Sequence, residues 1–357
     1  NLCCGHAHHQ NMGSKPSKPP GWVVPPLQPF LAKPAAFDAY WLLSSLGKGA
    51  FGEAFLAVRK RDVTKLKEPT CEQLYRSAAP KWVVKRFTKV DMSTQERLAA
   101  SHVKAELKTP HKHILLYDRE VSDAENKSSS LVFEYCNAGD LRRLVQRCQA
   151  RKARFTVFEV LTIATQLCEA LLALHKAKIM HGDVALRNVF LQWDPDSKEI
   201  CVKLGDFGLC QDLGDSMTVI GREHYSAHMA PEIDGKTPYN ELADVYSFGV
   251  VLYELMAVTI VHVDTQLLKY GDEQIESKRS ELEHDLVSDG MKQRFALLVE
   301  LSQQMMIRDA SKRPSMAAVH KALATISANL PGSGGVAGLN YLLLILLSWQ
   351  RKLFRRC

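Results

Sequence analysis

The segment His181–Asn188 (HGDVALRN) restricts the possible folds of this 357-residue chain more than any other stretch. It places a carboxylate, Asp183, and an amide, Asn188, five positions apart. Either residue alone would be uninformative, so we consider them together with the other short motifs of the chain. These motifs are Gly47–Gly52 (GKGAFG), Trp82–Lys85 (WVVK), Gly205–Gly208 (GDFG), Ala230–Glu232 (APE), Asp244–Gly249 (DVYSFG) and Lys312–Pro314 (KRP).

Hydrophobic patterning divides the central part of the chain into two halves. Strand-like runs cover Tyr40–Leu46, Glu53–Arg59, Trp82–Phe87 and Leu131–Tyr135, and the pattern predicts a helix over Ser93–Lys108 between the last two. Past Gly139 the periodicity becomes mostly helical, with strong apolar helices predicted at Thr156–His175 and Ala243–Met256. A mainly β segment followed by a mainly α segment predicts two lobes with a cleft between them.

Taken together, the motifs resemble those of eukaryotic-type protein kinases. His181–Asn188 is similar to the kinase catalytic loop H-R-D-L-x-x-x-N, and Asp206–Gly208 and Ala230–Glu232 match the D-F-G and A-P-E motifs. The resemblance implies an α+β fold of the bilobal protein kinase type. It has a β-rich N-lobe with one main helix and a mostly α-helical C-lobe.

The same resemblance assigns catalytic roles to four polar residues. Asp183 would accept or orient the proton of the substrate hydroxyl, and Lys85 would hold the α and β phosphates of ATP. Asn188 and Asp206 would bind Mg²⁺, which prefers hard oxygen ligands. ATP and Mg²⁺ are therefore the expected cofactors, and a protein is the expected substrate.

Further residues would bind the nucleotide if the resemblance holds. Gly47, Gly49 and Gly52 lie between two strands, a context that favours the phosphate-covering loop of kinases over a dinucleotide-binding fold. Glu134 and Cys136 would bind the adenine edge through main-chain groups, so their side chains are expected to matter little. Asp140 would hydrogen-bond the ribose.

Two more expectations concern structure and regulation. Arg313 matches the kinase arginine that pairs with the A-P-E glutamate, so Glu232 and Arg313 are expected to form a buried ion pair. Gly182 replaces the arginine that usually pairs with a phosphate on the activation segment, the stretch from Asp206 to Glu232. Activity is therefore expected to depend little on phosphorylation of the candidate regulatory sites Ser216, Thr218 and Tyr225.

The helix glutamate that should pair with Lys85 is missing at its expected place. Counting from Lys85 and back from Ile114 both point to His102. Glu106 lies one turn later and Glu96 lies almost two turns earlier. We take Glu106 as the expected partner in a shifted or distorted helix, with His102 as an imperfect alternative.

The catalytic loop also bears on the acceptor hydroxyl. Ala185 stands where serine/threonine kinases commonly have lysine, and residues 185–188 (ALRN) look like the A-A-R-N of tyrosine kinases. These features favour the tyrosine or tyrosine-kinase-like branch, with serine/threonine specificity left open.

The missing helix glutamate and Gly182 motivate a second hypothesis, an inactive pseudokinase acting as a scaffold. A small-molecule kinase is a third hypothesis, against which the activation segment ending in A-P-E argues.

Composition divides the chain into three parts. Residues 1–36 are rich in Pro, Lys, Ser and His and are expected to be a disordered basic segment. Residues 37–329 form the predicted kinase domain, with an N-lobe over 37–135 and a C-lobe over 139–329. Residues 330–357 read as a Gly-rich linker and a short apolar, basic tail. Nine cysteines without a C-x-x-C pair or a secretory signal predict reduced thiols and a cytoplasmic location.

The charge distribution suggests which partners are expected. Seven basic residues and no acid lie in residues 1–36 and 329–357, which equals the net charge of +7. A neutral folded part argues against a nucleic-acid-binding surface. The basic ends favour peripheral association with an anionic membrane.

Residues 12–17 (MGSKPS) fit the N-myristoylation pattern with Gly13 as acceptor, although a chance match is the alternative. The apolar tail either lies in a membrane interface, docks on the domain, or is a sequence artefact.

Overall fold

The computed structural model describes residues 28–48, 52–87, 90–123, 128–194, 196–197, 199–214, 226–260 and 289–328. Within these residues a six-stranded sheet precedes a mainly helical part. This arrangement confirms the predicted bilobal α+β fold. Gly13, Gly49, Ser216, Thr218, Tyr225 and the tail at 330–357 lie outside the described residues.

The N-lobe sheet is antiparallel throughout and has the order β1-β2-β3-β4-β6-β5. Because Lys85 lies opposite Ala54 on one neighbouring strand and Leu131 on the other, it occupies the middle of the sheet. Its strands are β1 (Ala35–Phe37), β2 (Tyr40–Lys48), β3 (Gly52–Arg59), β4 (Lys81–Phe87), β5 (Tyr117–Asp123) and β6 (Ser128–Glu134).

The described residues of this lobe include two α-helices. The short helix α1 (Cys71–Arg76) begins at a capping box in which Thr70 and Gln73 satisfy each other's backbone amides. The sequence pattern did not predict it, because six residues are too few to show a helical period. Helix α2 (Val90–Glu106) corresponds to the helix predicted at Ser93–Lys108, shifted towards the N-terminus.

Residues before the predicted boundary at Phe37 pack onto the N-lobe. Leu31 donates its backbone N–H to Leu43 of β2 at 2.7 Å, and the Phe30 ring lies 5.6 Å from the Tyr75 ring of α1. Residues 29–36 therefore belong to the N-lobe, which corrects their assignment to a disordered segment. The proline-rich composition hid this packing, since isolated apolar residues in an irregular stretch show no periodicity.

The C-lobe is built around α4 (Val157–Lys176), most of which is buried. This helix begins at a capping box between Thr156 and Glu159. It is long and apolar enough to span a membrane, but its burial inside the lobe explains its composition. The described helices of this lobe are α3 (Leu141–Ala150), α4 (Val157–Lys176), α5 (Leu242–Ala257), α6 (Asp289–Met305) and α7 (Met316–Ala328).

Two small sheets carry the polar motifs where the lobes meet. Strands β7 (Gly139–Asp140), β9 (Val189–Asp194) and β10 (Glu199–Leu204) form one sheet, in the order β10-β9-β7. The other sheet pairs β8 (Ile179–Met180) with β11 (Gln211–Asp212). The catalytic-loop segment lies between β8 and β9, and the D-F-G segment lies between β10 and β11.

Candidate active site

A cavity of about 260 Å³ lies between the N-lobe sheet and the helical lobe. Its polar lining includes Lys85, Glu96 and Asp206. An apolar slot with a few polar groups is typical of small-molecule sites in proteins. Its apolar lining comes from both lobes and includes Leu46, Ala54, Val83, Leu115, Phe133 and Phe190.

Lys85 connects two carboxylates inside this cavity. Its Nζ donates to both oxygens of Glu96, each at 2.7 Å, and lies 3.3 Å from Oδ1 of Asp206. Strand β4 supplies the lysine, helix α2 supplies Glu96, and Asp206 follows β10. Three distant segments therefore meet at one ammonium group.

The partner of Lys85 is Glu96, so the expectation of Glu106 was wrong. Glu106 is exposed at the C-terminal end of α2. His102, the alternative, faces a different neighbour, with its Nε2 3.6 Å from Oδ2 of Asp212. Counting failed because α2 begins at Val90. A signal was present, since Glu96 shares a stripe at helical spacing with Ala100 and Val103, both buried.

The cluster carries two carboxylates against one ammonium group. Burial raises the pKa of Glu96 to about 7, although the Lys85 ammonium opposes the shift. Burial alone would lower the pKa of Lys85, but attraction to Asp206 and Glu96 raises it. Burial likewise would raise the pKa of Asp206, but Lys85 lowers it. An additional cation would be stabilised beside this excess of negative charge.

Asp183 is held by two neighbours on its own loop. Arg187 Nη2 donates to Oδ1 of Asp183 at 2.6 Å, and Asn188 Nδ2 donates to Oδ2 at 2.7 Å. Asn188 Nδ2 also donates to the Asp183 carbonyl at 2.8 Å. Because these bonds use the amide N–H groups, Asn188 would bind a cation through Oδ1. The part played by Arg187 was not foreseen from the sequence.

Backbone hydrogen bonds join the catalytic loop to the D-F-G segment. Gly205 N donates to Asn188 O at 2.9 Å, and His181 Nε2 lies 3.2 Å from Gly205 O. Asp206 adopts a left-handed conformation with φ 65°, which is uncommon for a residue other than glycine. Its side chain is 41% exposed because it faces the cavity. The structure therefore brings Lys85, Asp183, Asn188 and Asp206 together as predicted.

Asp244 binds the backbone of the catalytic loop through its side chain, a role that the sequence did not reveal. Its buried carboxylate accepts hydrogen bonds from His181 N at 2.7 Å and Gly182 N at 2.8 Å, and lies 2.9 Å from His175 Nε2. Burial alone would raise the pKa of Asp244, but the bond with His175 and the nearby His181 lower it. Helix α5 thus fixes the backbone that precedes Asp183.

The Glu134 side chain matters more than expected. Its Oε1 accepts a hydrogen bond from Leu116 N at 2.7 Å and forms an ion pair with Lys203 Nζ at 2.9 Å. Lys203 also donates to Lys112 O at 3.1 Å. Since Lys203 lies on β10, three residues before Asp206, this network connects the segment joining the lobes to the D-F-G segment. The expectation that Glu134 acts through its main chain alone is corrected.

The two described glycines of the G-x-G-x-x-G motif differ in their surroundings. A Cβ on Gly52 would lie 1.9 Å from the Arg86 carbonyl oxygen of the neighbouring strand. Gly52 is therefore required by strand packing, a reason independent of phosphates. A Cβ on Gly47 would meet only the Arg143 guanidinium at 3.7 Å. Gly47 lines the cavity, as the sequence predicted.

At the mouth of the cavity, Asp140 caps helix α3. Its Oδ1 accepts from Arg143 N at 2.8 Å, and its Oδ2 lies 3.3 Å from Arg143 Nε. Burial raises the pKa of Asp140, against the opposing effect of these contacts. Cys136 and Asp140 both line the cavity, so both are placed where a nucleotide would contact them.

The expected ion pair between Glu232 and Arg313 is present away from the cavity. The arginine donates from Nη1 to Oε1 at 2.5 Å and from Nη2 to Oε2 at 2.8 Å. Its side chain is fully buried. The pair ties the end of the activation segment to the helical lobe, in a bidentate geometry typical of strong charge-assisted bonds.

The residues around the cavity fit a magnesium nucleotide. Asp206 and Asn188 offer oxygen ligands, and the carboxylate excess favours a divalent cation. Lys85 offers an ammonium group for phosphate oxygens. The apolar walls from Ala54 and Val83 suit a flat purine.

Comparison with known proteins agrees with this chemistry. A family model described as protein tyrosine and serine/threonine kinase matches residues 41–323. Similar curated proteins include serine/threonine-protein kinase Nek5 of Homo sapiens, 33% identical over 223 residues, or 61% of this chain and 28% of that protein. Serine/threonine-protein kinase Nek1 of Mus musculus is 33% identical over 224 residues, or 61% and 16%.

A third relative covers more of its own length. The probable serine/threonine-protein kinase nek2 of Dictyostelium discoideum is 30% identical over 229 residues, or 62% of this chain and 49% of that protein. The match to these three relatives therefore covers less than half the length of each. Their names refer to serine/threonine kinases and give no support to the tyrosine branch that the catalytic loop favoured.

Proposed function

The chain belongs to the protein tyrosine and serine/threonine kinase family, and from this premise we propose that it transfers the γ-phosphoryl group of ATP to hydroxyl groups of a protein substrate. One observation carries the proposal. Lys85 and Asp206 line one cleft, and hydrogen bonds connect the segment that carries Asp206 to Asn188, and Asn188 to Asp183.

Positioning accounts for most of the proposed catalysis. Arg187 and Asn188 hold the Asp183 carboxylate in one orientation, so it can align an acceptor hydroxyl and receive its proton. Lys85, itself held by Glu96, would donate to phosphate oxygens. Asn188 and Asp206 would hold Mg²⁺, which supplies neutralisation of phosphate charge when bound.

The proposal is tested by ATP consumption with a generic protein substrate, comparing the chain with Asp183→Asn. We expect the variant to lose at least about a hundredfold in kcat. Equal rates would refute the enzyme and favour the pseudokinase. One reason for the pseudokinase has weakened, because Lys85 has a helix glutamate after all, Glu96.

We propose serine and threonine as the acceptors, since relatives up to 33% identical carry that name. Tyrosine is the second candidate. It is favoured by Ala185 in the lysine position and by the similarity of residues 185–188 (ALRN) to the A-A-R-N of tyrosine kinases. Phosphoamino-acid analysis after autophosphorylation decides between them, because phosphotyrosine alone would reverse the assignment.

A cytoplasmic location with peripheral membrane association is also proposed, on sequence grounds alone. The basic ends and the motif at Gly13 support it. Co-sedimentation with vesicles containing phosphatidylserine, with and without replacement of Arg351, Lys352, Arg355 and Arg356 by Gln, provides the test. Binding that is unaffected by the replacement would refute the contribution of the tail.

A further inference from the structure

Helix α3 and the residues that follow it carry a dense group of basic side chains, which begins at the cavity with Arg143. The sequence from 141 to 154 contains six basic residues and no acid. Four of the six are exposed, and Arg143 and Arg147 are half-buried. We name these six residues the basic face: Arg142, Arg143, Arg147, Arg151, Lys152 and Arg154.

The fold does not require this concentration of one charge. Helix α3 is held by an apolar stripe that includes Leu144 and Cys148, both fully buried. Exposed positions on the other side would be solvated equally well by a mixture of acids and bases. The crowding instead has a cost, because burial and repulsion from Arg143 and Arg151 lower the pKa of Arg147.

Two carboxylates lie close to the basic face and offset part of its charge. Asp140 accepts the Arg143 backbone N–H as the cap of α3. Glu159 is buried and accepts the Thr156 backbone N–H at 2.7 Å as part of the cap of α4. These two carboxylates offset part of the charge of the six basic residues, and the exposed side chains of Arg142 and Lys152 keep this part of the surface basic.

The end of the basic face that contains Arg143 lies near the catalytic loop. Gly139 and Asp140, directly before α3, pair with Leu191 and Phe190, directly after the loop. Helix α3 also packs against residues 186–188. Arg143 lines the cavity and donates to Leu46 O at 3.1 Å. This end of the face therefore contacts strand β2 of the N-lobe.

We propose that the basic face docks a carboxylate-rich segment of the protein substrate, beside the hydroxyl presented to Asp183. This inference rests on the proposed kinase function. Complementary charge around an open cleft raises the local concentration of an oppositely charged ligand and speeds its association. The effect concerns the protein substrate, because most of the face lies outside the nucleotide cavity.

The test compares two peptides with the full chain. Each contains one Ser, one Thr and one Tyr, flanked on both sides by four Glu in one peptide and four Gln in the other. The charge-reversal variant is Arg142→Glu/Arg151→Glu/Lys152→Glu, which leaves Arg143 intact. The matched control is Arg61→Glu/Lys65→Glu/Lys67→Glu, three exposed positions after β3 with the same change in charge.

We expect the wild-type KM to be roughly tenfold lower for the Glu-flanked peptide, a preference that salt weakens by screening. The charge-reversal variant should remove the preference, with kcat and the KM for ATP within about twofold of wild type. The control should keep the preference. Melting temperatures of the three proteins, measured together, separate a folding defect from a docking defect.

Each alternative outcome has one meaning. Equal wild-type KM values for the two peptides, or loss of the preference in both variants, would overturn the docking surface while leaving the kinase intact. A single-stranded RNA that binds the basic face more tightly than the Glu-flanked peptide would also overturn it. Absence of phosphotransfer to either peptide and to a generic protein would instead refute the proposed function.

Discussion

Two ion-pair clusters in this protein differ in a way that separates a functional site from a structural one. Around Arg313, every guanidinium N–H has an acceptor. Nε donates to Ile307 O at 2.6 Å. Nη1 and Nη2 each donate to one oxygen of the Glu232 carboxylate. Nη1 also donates to Leu242 O, and Nη2 to Arg308 O, each at 3.0 Å. Around Lys85, one ammonium faces two carboxylates, and Asp206 remains 41% exposed to a cavity.

The saturated cluster has no capacity for another partner, so its role is complete within the fold. The cleft cluster is unbalanced and open, so it is ready for a cation and an anion that the chain itself does not supply. Charge imbalance beside a cavity is therefore the physical mark of the site, and burial alone is not. Replacing residues in the two clusters should consequently affect different quantities.

The largest effect is expected from Asp206→Asn. We expect kcat to fall about 10³-fold, the upper range for losing one preorganised electrostatic group. The melting temperature should stay the same or rise, because the change removes the excess carboxylate beside Glu96. Transfer from labelled ATP and a thermal melt measure the two quantities.

Asp212→Asn is the matched control, an exposed acid on β11 that should keep its activity. If Asp206→Asn retains more than a tenth of the wild-type rate, the assignment of the Lys85 cluster as the functional site is contradicted. The assignment is equally contradicted if the variant unfolds, since that would make Asp206 a structural residue.

The opposite result is expected from Arg313→Met. Removing the arginine leaves Glu232 without its partner, and the expected loss is roughly 3–5 kcal/mol in the free energy of unfolding, measured in urea. The double change Glu232→Gln/Arg313→Met should recover part of the loss, because no uncompensated charge remains. Arg308→Met, at an exposed position, is the control. A loss below about 1 kcal/mol in Arg313→Met would mean that saturation does not indicate a structural role.

A third experiment sharpens the assignment inside the cleft. Glu96→Gln should lower kcat/KM by roughly 10- to 100-fold, because Lys85 loses the charge that holds it and positioning errors are costly. Glu106→Gln, on the same helix, should stay within about twofold of wild type, since its side chain is exposed. Steady-state rates with saturating protein substrate distinguish them. Equal losses in the two variants would restore Glu106 as a candidate.

The Glu96 case shows where sequence reasoning succeeds and where it stops. Lys85, Asp183, Asn188 and Asp206 could be located because each belongs to a short local motif whose internal spacing is fixed by backbone geometry. The partner of Lys85 depends instead on where α2 begins and how it is rotated. Local composition determines this weakly, because the helix packs by burying one face.

The same limit applies to other contacts between distant segments. Asp244 reaches the catalytic loop across more than sixty positions, and Lys203 reaches Glu134 from another strand. Neither contact leaves a pattern in the nearby sequence. The bilobal fold itself could be predicted, since strand and helix periodicities extend over many residues, whereas α1 is too short to show one.

A smaller effect is expected for Lys203→Met. The change removes the Lys203 ammonium from Glu134, which keeps its hydrogen bond from Leu116 N, so the segment that joins the lobes should be less well fixed. We expect the KM for ATP to rise roughly tenfold with kcat within about threefold of wild type. Lys176→Met, an exposed lysine at the end of α4, is the control. The double change Glu134→Gln/Lys203→Met should recover part of the loss, and strict additivity would contradict the coupling.

The smallest effect concerns phosphorylation, because Gly182 occupies the loop position at which kinases usually have a phosphate-binding arginine. Gly182 has φ 76°, and a Cβ there would lie 2.6 Å from the Leu209 carbonyl oxygen. An arginine therefore cannot be accommodated at this position in the present backbone, and no guanidinium extends from it towards a phosphate. We expect the variant Ser216→Ala/Thr218→Ala/Tyr225→Phe, and wild type treated with phosphatase, to keep their rates within about threefold of untreated wild type.

Single-turnover rates of the three preparations, with phosphate content checked by mass spectrometry, provide the measurement. A more than tenfold loss in both the triple variant and the phosphatase-treated protein would show that another cation binds the phosphate. That cation would form a third charged cluster, distinct from those around Lys85 and Arg313. Gly182→Arg separates the two explanations. If the backbone conformation excludes the side chain, this variant loses activity through strain at the loop that carries Asp183, and phosphorylation does not restore it.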